Sequence, residues 1–77
     1  MSDTFPLGRV FASPGTKAAL SRGELASLLQ RHVAGERRAT GSALQIVSEF
    51  AVHRLRGEVI QVWVVTEPSR TRAVDAR

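Results

Sequence analysis

The stretch Val59–Thr66, VIQVWVVT, constrains this chain more than any other. Six of its eight residues are apolar, and Val, Ile, Trp and Thr favour a pleated, half-buried surface. Leu44–Leu55 lies before it, and Arg56-Gly57-Glu58 between the two reads as a turn. The two runs are therefore predicted to be neighbouring antiparallel strands. In Val59–Thr66, Ile60, Val62 and Val64 face one way, and Gln61, Trp63 and Val65 the other. The aliphatic side belongs under a helix, which leaves Trp63 part-exposed on the far side. Pro68 ends this strand by removing a ladder donor.

Leu44–Leu55 fits two periods. As a strand it puts Leu44, Ile46, Phe50 and Val52 on one face, interrupted by Ser48, with Gln45, Glu49 and His53 opposite. As a helix it aligns Leu44, Val47, Ala51 and Leu55. The β-branched residues and the following turn favour the strand. Further upstream, Leu7–Ala12 alternates loosely and reads as a short first strand with Pro6 at its entrance.

Two helix-start signals follow. Ser13-Pro14 pairs an N-cap residue with proline at the first helical position, and the turn it opens, Pro14–Leu20, is short. Ser21 and Glu24 have capping-box spacing. From there Leu25, Leu28, Leu29 and Val33 share a helical face, flanked by Gln30, Arg31 and His32. Gly35 is a natural stop, so the main helix is expected over Arg22–Ala34. Glu36–Ser42 reads as a polar linker. Thr71–Val74 has room for no more than a brief edge strand.

These elements predict an α+β fold: a small antiparallel sheet, made of the short first strand and a β-hairpin, packed on one main α-helix. The 77 residues read as a single small domain, frayed at 1–5 and 73–77. A domain of this size buries only about 60% of its unfolded surface. No cysteine is present to supply a disulfide, so the core by itself yields about 3–5 kcal/mol. A homodimer, formed through the Trp63 face or an open sheet edge, is one way to add stability.

The lack of cysteine fits a reducing compartment, and a cytoplasmic location is expected. No apolar run approaches the ~20 residues of a membrane span. Met1–Gly8 lacks the basic-then-apolar pattern of a signal peptide. Ten arginines and Lys17 against seven acids give a net charge of +4, which permits contact with nucleic acid or an acidic protein surface.

Catalytic and metal chemistry find little footing. A metal site needs converging His, Cys or carboxylate ligands, and the chain offers His32 and His53. Ser48 and His53 could be imagined as a nucleophile and its base, but on one strand they have opposite parity. Glu49 and Glu67 are the carboxylates near the apolar strands, and both are read as pointing outward. Gly8…Gly15-Thr16-Lys17 departs from a phosphate loop in its glycine spacing and in placing Lys after Thr. The chain is accordingly read as non-enzymatic, without a cofactor. The residues assigned to partner binding are Trp63 with Arg54, Arg56, Arg70, Arg72, Arg37 and Arg38. Arginines flanking a two-stranded ribbon can read a DNA groove, and they can equally keep a sheet edge soluble.

Two blocks carry a resemblance. The first is Leu7–Gly15, LGRVFASPG, followed by Leu28–Gly35, LLQRHVAG. The second is Ile46–Phe50, IVSEF, with Trp63–Thr71, WVVTEPSRT. In this order they resemble a group of small proteins carried by plasmids and integrative elements of proteobacteria. That group's usual forms are LGxVxATPGA, LLxRHxxGDWG, LLSAY and WVITEADRS. Here the acidic segment after Gly35 is shortened to ERRATG, and the C-terminal strand is replaced by TRAVDAR. The resemblance supplies no reaction and no catalytic residues. It implies a mobile-element context. The expected function is a non-catalytic protein-binding module, acting as an anti-defence inhibitor of the anti-CRISPR type by occupying a surface of a host complex. The alternative is a nucleic-acid-binding protein using the arginine-flanked hairpin.

Overall fold

A computed structural model describes residues 6–39 and 44–75. The chain runs β1 (Arg9–Ala12), α1 (Pro14–Ala19), α2 (Arg22–Val33), β2 (Arg38–Ala39), β3 (Ile46–His53), β4 (Val59–Glu67) and β5 (Arg70–Asp75). The architecture is α+β, a mixed five-stranded sheet in the order β1-β5-β4-β3-β2 with two helices on one face.

The arrangement is richer than a first strand, one hairpin and one helix. Each start signal opens its own helix. Ser13 caps α1, its side chain accepting from the Thr16 amide, and Ser21 and Glu24 close a full capping box on α2. Between them Leu20 and Ser21 are extended, which separates the helices. The polar linker contributes Arg38–Ala39 as β2, paired antiparallel with Ser48 and Val47; residues 40–42 of that linker lie outside the described residues.

The largest correction concerns residues 70–75. They form a six-residue strand, not a brief edge, and Ala73–Asp75 are ordered in it. β5 sits between β1 and β4, antiparallel to β4 and parallel to β1, with Arg9 opposite Arg70 and Ala12 opposite Ala73. The fraying expected at 1–5 and at Ala76 and Arg77 falls outside the described residues.

The expected antiparallel hairpin forms, with a register running from Ile46 opposite Thr66 to His53 opposite Val59. Its turn is closed by Arg54 N–H donating to the Glu58 carbonyl at 2.8 Å, with Gly57 at φ 89°. The helix-facing residues of the sheet are those with the parity of Val62 and Val64. They join Phe50, Ala73, Leu20 and Leu28 in the core, and Ala12, Leu25, Leu29, Val52 and Ile60 pack around it. Gly8, just before β1, adopts φ +66°, and a Cβ there would lie 2.6 Å from the Ser69 carbonyl oxygen. The β1–β5 junction thus closes at a point where only glycine fits.

Side-chain links tie the helices to the strands. Ser13 Oγ donates to Asp75 Oδ1 at 2.8 Å, fastening the start of α1 to the end of β5. Arg54, from the β3–β4 turn, forms a two-pronged ion pair with Glu24 and also donates to the Ala19 carbonyl. One guanidinium therefore grips the end of α1 and the start of α2. The Arg54 hydrogen bond, then the backbone N–H of Ser21, holds the Glu24 carboxyl down from 4.5 to about 2.

Candidate functional site

The side of the sheet away from the helices is uncovered among the described residues. Strand register orders its side chains. Phe11 of β1, Arg72 of β5, Val65 of β4 and Val47 of β3 lie in one cross-strand row. Val74, Trp63 and Glu49 form the next, and Arg9, Arg70 and Glu67 the row on the other side. Val47 and Val65 are buried on this face, while Phe11 at 47% and Trp63 at 42% stand exposed on it. A shallow depression of about 150 Å³ adjoins the indole, bordered by Arg37, Glu49, Ala51 and Gln61.

Four arginines ring this face, and each is partly engaged. Arg9 lies over the Phe11 ring, 5.9 Å from its centroid. Arg37 donates from Nε to the Glu49 carbonyl at 3.4 Å. Arg70 and Arg72 share Glu67, with Nε to Oε1 distances of 3.0 and 3.1 Å. The hydrogen bond from Arg70 is the main reason the Glu67 carboxyl titrates below its ordinary range, and the Arg72 charge adds to it. Faces of this kind, with exposed aromatic side chains beside buried aliphatic ones and arginine around them, have the composition of interface hot spots.

The residues assigned from sequence divide between three places. Trp63, Arg70, Arg72 and Arg37 gather on or beside the open face. Arg54 is committed to Glu24 and Ala19, and with Arg56 it lines a separate cleft of about 630 Å³ between α1 and the hairpin turn. Arg38 shares the parity of Ser48 and donates to the His32 carbonyl at 3.1 Å, on the helix side. The open face also holds Phe11 and Arg9, which sequence reading passed over. The alternation of Arg9 and Phe11 against Val10 was the available signal, but only the parallel pairing with β5 carries it to the same surface as Trp63.

His32 is the second correction. Expected on the polar flank of α2, it is buried, with its ring inserted between the helix and the sheet. Nδ1 lies 2.7 Å from Ser48 Oγ and Nε2 2.8 Å from Thr66 Oγ1. Thr66 Oγ1 is 2.8 Å from Thr71 Oγ1, which donates to the Leu7 carbonyl at 2.7 Å. A carbonyl only accepts, and this fixes every proton in the row. Thr71 donates to Leu7, Thr66 donates to Thr71, His32 donates from Nε2 to Thr66, and Ser48 donates to the bare Nδ1. Burial, with the nearby Arg38 charge, pushes the imidazole down from 6.5 to about 4.

Ser48 therefore does meet a histidine, though not His53. The pair has the contact that nucleophile activation requires, but Ser48, His32, Thr66 and Thr71 are all buried. No substrate carbon reaches Ser48 Oγ in this arrangement, and the row works as an internal polar clamp between α2, β3, β4 and β5. Among the described residues no three His, Cys, Asp or Glu side chains converge as a metal site, and no helix is long and apolar enough to cross a membrane. No family model, curated protein or solved structure matches the chain.

Proposed function

We propose that this protein is a non-catalytic binding module that docks a partner protein on the open face of its sheet. The observation that carries this reading is the exposure of Phe11 and Trp63 on the same sheet face as the buried Val47 and Val65. Protein is favoured over nucleic acid because Glu49 and Glu67 stand among the four arginines, and Glu67 already engages two of them. A phosphate backbone would have to displace those pairs and approach both carboxylates. The resemblance to proteins of plasmids and integrative elements makes a host defence complex, of the CRISPR type, the first partner to try.

The experiment is affinity capture from a proteobacterial lysate, with and without nuclease, at low and raised salt. Wild type is compared with Trp63→Ala, Phe11→Ala and, as a control on the exposed side of α2, Gln30→Ala. A docking partner resists nuclease and raised salt, is kept by Gln30→Ala and is lost from both aromatic variants. Truncating such anchors costs about 2 kcal/mol or more of binding. Capture that disappears with nuclease replaces this reading with the nucleic-acid one.

A further inference from the structure

Among the described residues β1 is paired on one side only, with β5. Arg9 N–H and Ser13 N–H both point to β5, donating to Ser69 and Ala73. By strand alternation the N–H and C=O groups of Val10 and Ala12 point the other way, toward the open edge. On the helix side that edge borders a groove of about 440 Å³, with Val10, Ala12, Leu20 and Leu25 as its apolar lining and Lys17 and Arg22 at its rim. Among the described residues neither Lys17 nor Arg22 has an ion-pair partner. Arg22 is also the first residue of α2, where the helix dipole disfavours a cation. Free backbone donors and acceptors, an apolar trough and unneutralised cations thus lie side by side.

We infer that the free edge of β1 captures an extended, acidic segment of a partner protein as a sixth strand, with aliphatic side chains in the groove and carboxylates at its rim beside Lys17 and Arg22. Strand addition supplies main-chain hydrogen bonds, and the groove selects every second side chain. A second copy of this chain is a poor occupant. Pairing β1 with β1 would bring Arg9, Lys17 and Arg22 close to their own equivalents, and like charges across a strand pair repel. The surface is distinct from the face around Trp63.

The test uses the full chain and two blocked synthetic peptides, one repeating Val-Thr-Glu-Thr and one repeating Val-Thr-Lys-Thr, so that Val and the charged residue share one face of the strand, followed by amide and methyl NMR. The glutamate peptide is expected to shift Leu20 and Leu25 methyls and to slow exchange of the Val10 and Ala12 amides. Lys17→Glu with Arg22→Glu should weaken it by about tenfold or more, whereas Trp63→Ala should leave it unchanged. That last result separates failure here from failure of the open-face reading. Four outcomes overturn the inference: equal binding of both peptides, shifts confined to the Trp63 face, protection of Val10 and Ala12 that grows with protein concentration alone, and no binding of either peptide at millimolar concentration. The last would make the edge cations a guard against self-pairing.

Discussion

Lowering the pH from about 7 toward 4 asks the His32 imidazole to accept a charge in a dry site beside Arg38. In the unfolded chain the ring takes its proton near 6.5, and in the folded protein near 4. Between those values the unfolded state binds more protons, so stability falls as the solution is acidified. The contribution is fully present above 6.5 and is lost as the pH drops toward the folded value. At about 1.36 kcal/mol per pH unit, that gap corresponds to about 3 kcal/mol. A domain of this size has about 3–5 kcal/mol in all, so His32 by itself can bring the protein close to its acid unfolding midpoint. Urea titrations followed by fluorescence of Trp63, the single tryptophan, would trace the loss at half-unit steps. His32→Gln keeps a donor and an acceptor but does not titrate. It should be less stable than wild type near neutrality and flat across the same window. A wild-type profile equally flat there refutes the reasoning, as does an NMR titration placing the folded His32 at its ordinary value.

Two other perturbations separate backbone from contact effects. Gly57→Ala meets no atom within 4 Å and should cost only the left-handed backbone penalty, about 1 kcal/mol. Gly8→Ala meets the Ser69 backbone as well and should lower the urea midpoint further. Glu24→Gln weakens the capping box and removes the charge that holds Arg54. It should destabilise the protein near neutrality, with the difference from wild type shrinking as the pH falls from 4.5 toward 2, a window below that of His32. A double-mutant cycle with Arg54→Met should show coupling that vanishes at the acid end.

Much of this fold was legible locally because its signals are local. Ser13-Pro14 and Ser21…Glu24 announce helix starts by hydrogen bonds that close within one turn. Alternation in Val59–Thr66 settles which side chains enter the core and leaves Trp63 outside. What escaped depends on contacts between distant residues. Thr71, Ala73 and Asp75 alternate with arginines and valine, and nothing nearby says that β1, some 60 residues earlier, completes their pairing. His32 stood next to Gln30 and Arg31 and took on their polarity in the reading. Its spacing from Leu25 and Leu28 already put it on the apolar stripe, and the hydroxyls of Ser48, Thr66 and Thr71 were the partners that make such a histidine tolerable. Arg54 and Arg38 looked free for the same reason, since their partners lie on other elements.

The placement of β5 has a consequence for how the molecule is made. The first strand docks against the last, so during synthesis residues 9–12 must wait until residues 70–75 have left the ribosome. Until then α1 lacks its Asp75 anchor, and β4 exposes a bare flank that is Val-rich and sticky. Assembly is therefore a late, concerted event governed by long-range loop closure, and clipping a few residues from β5 would set both the leading strand and the first helix adrift.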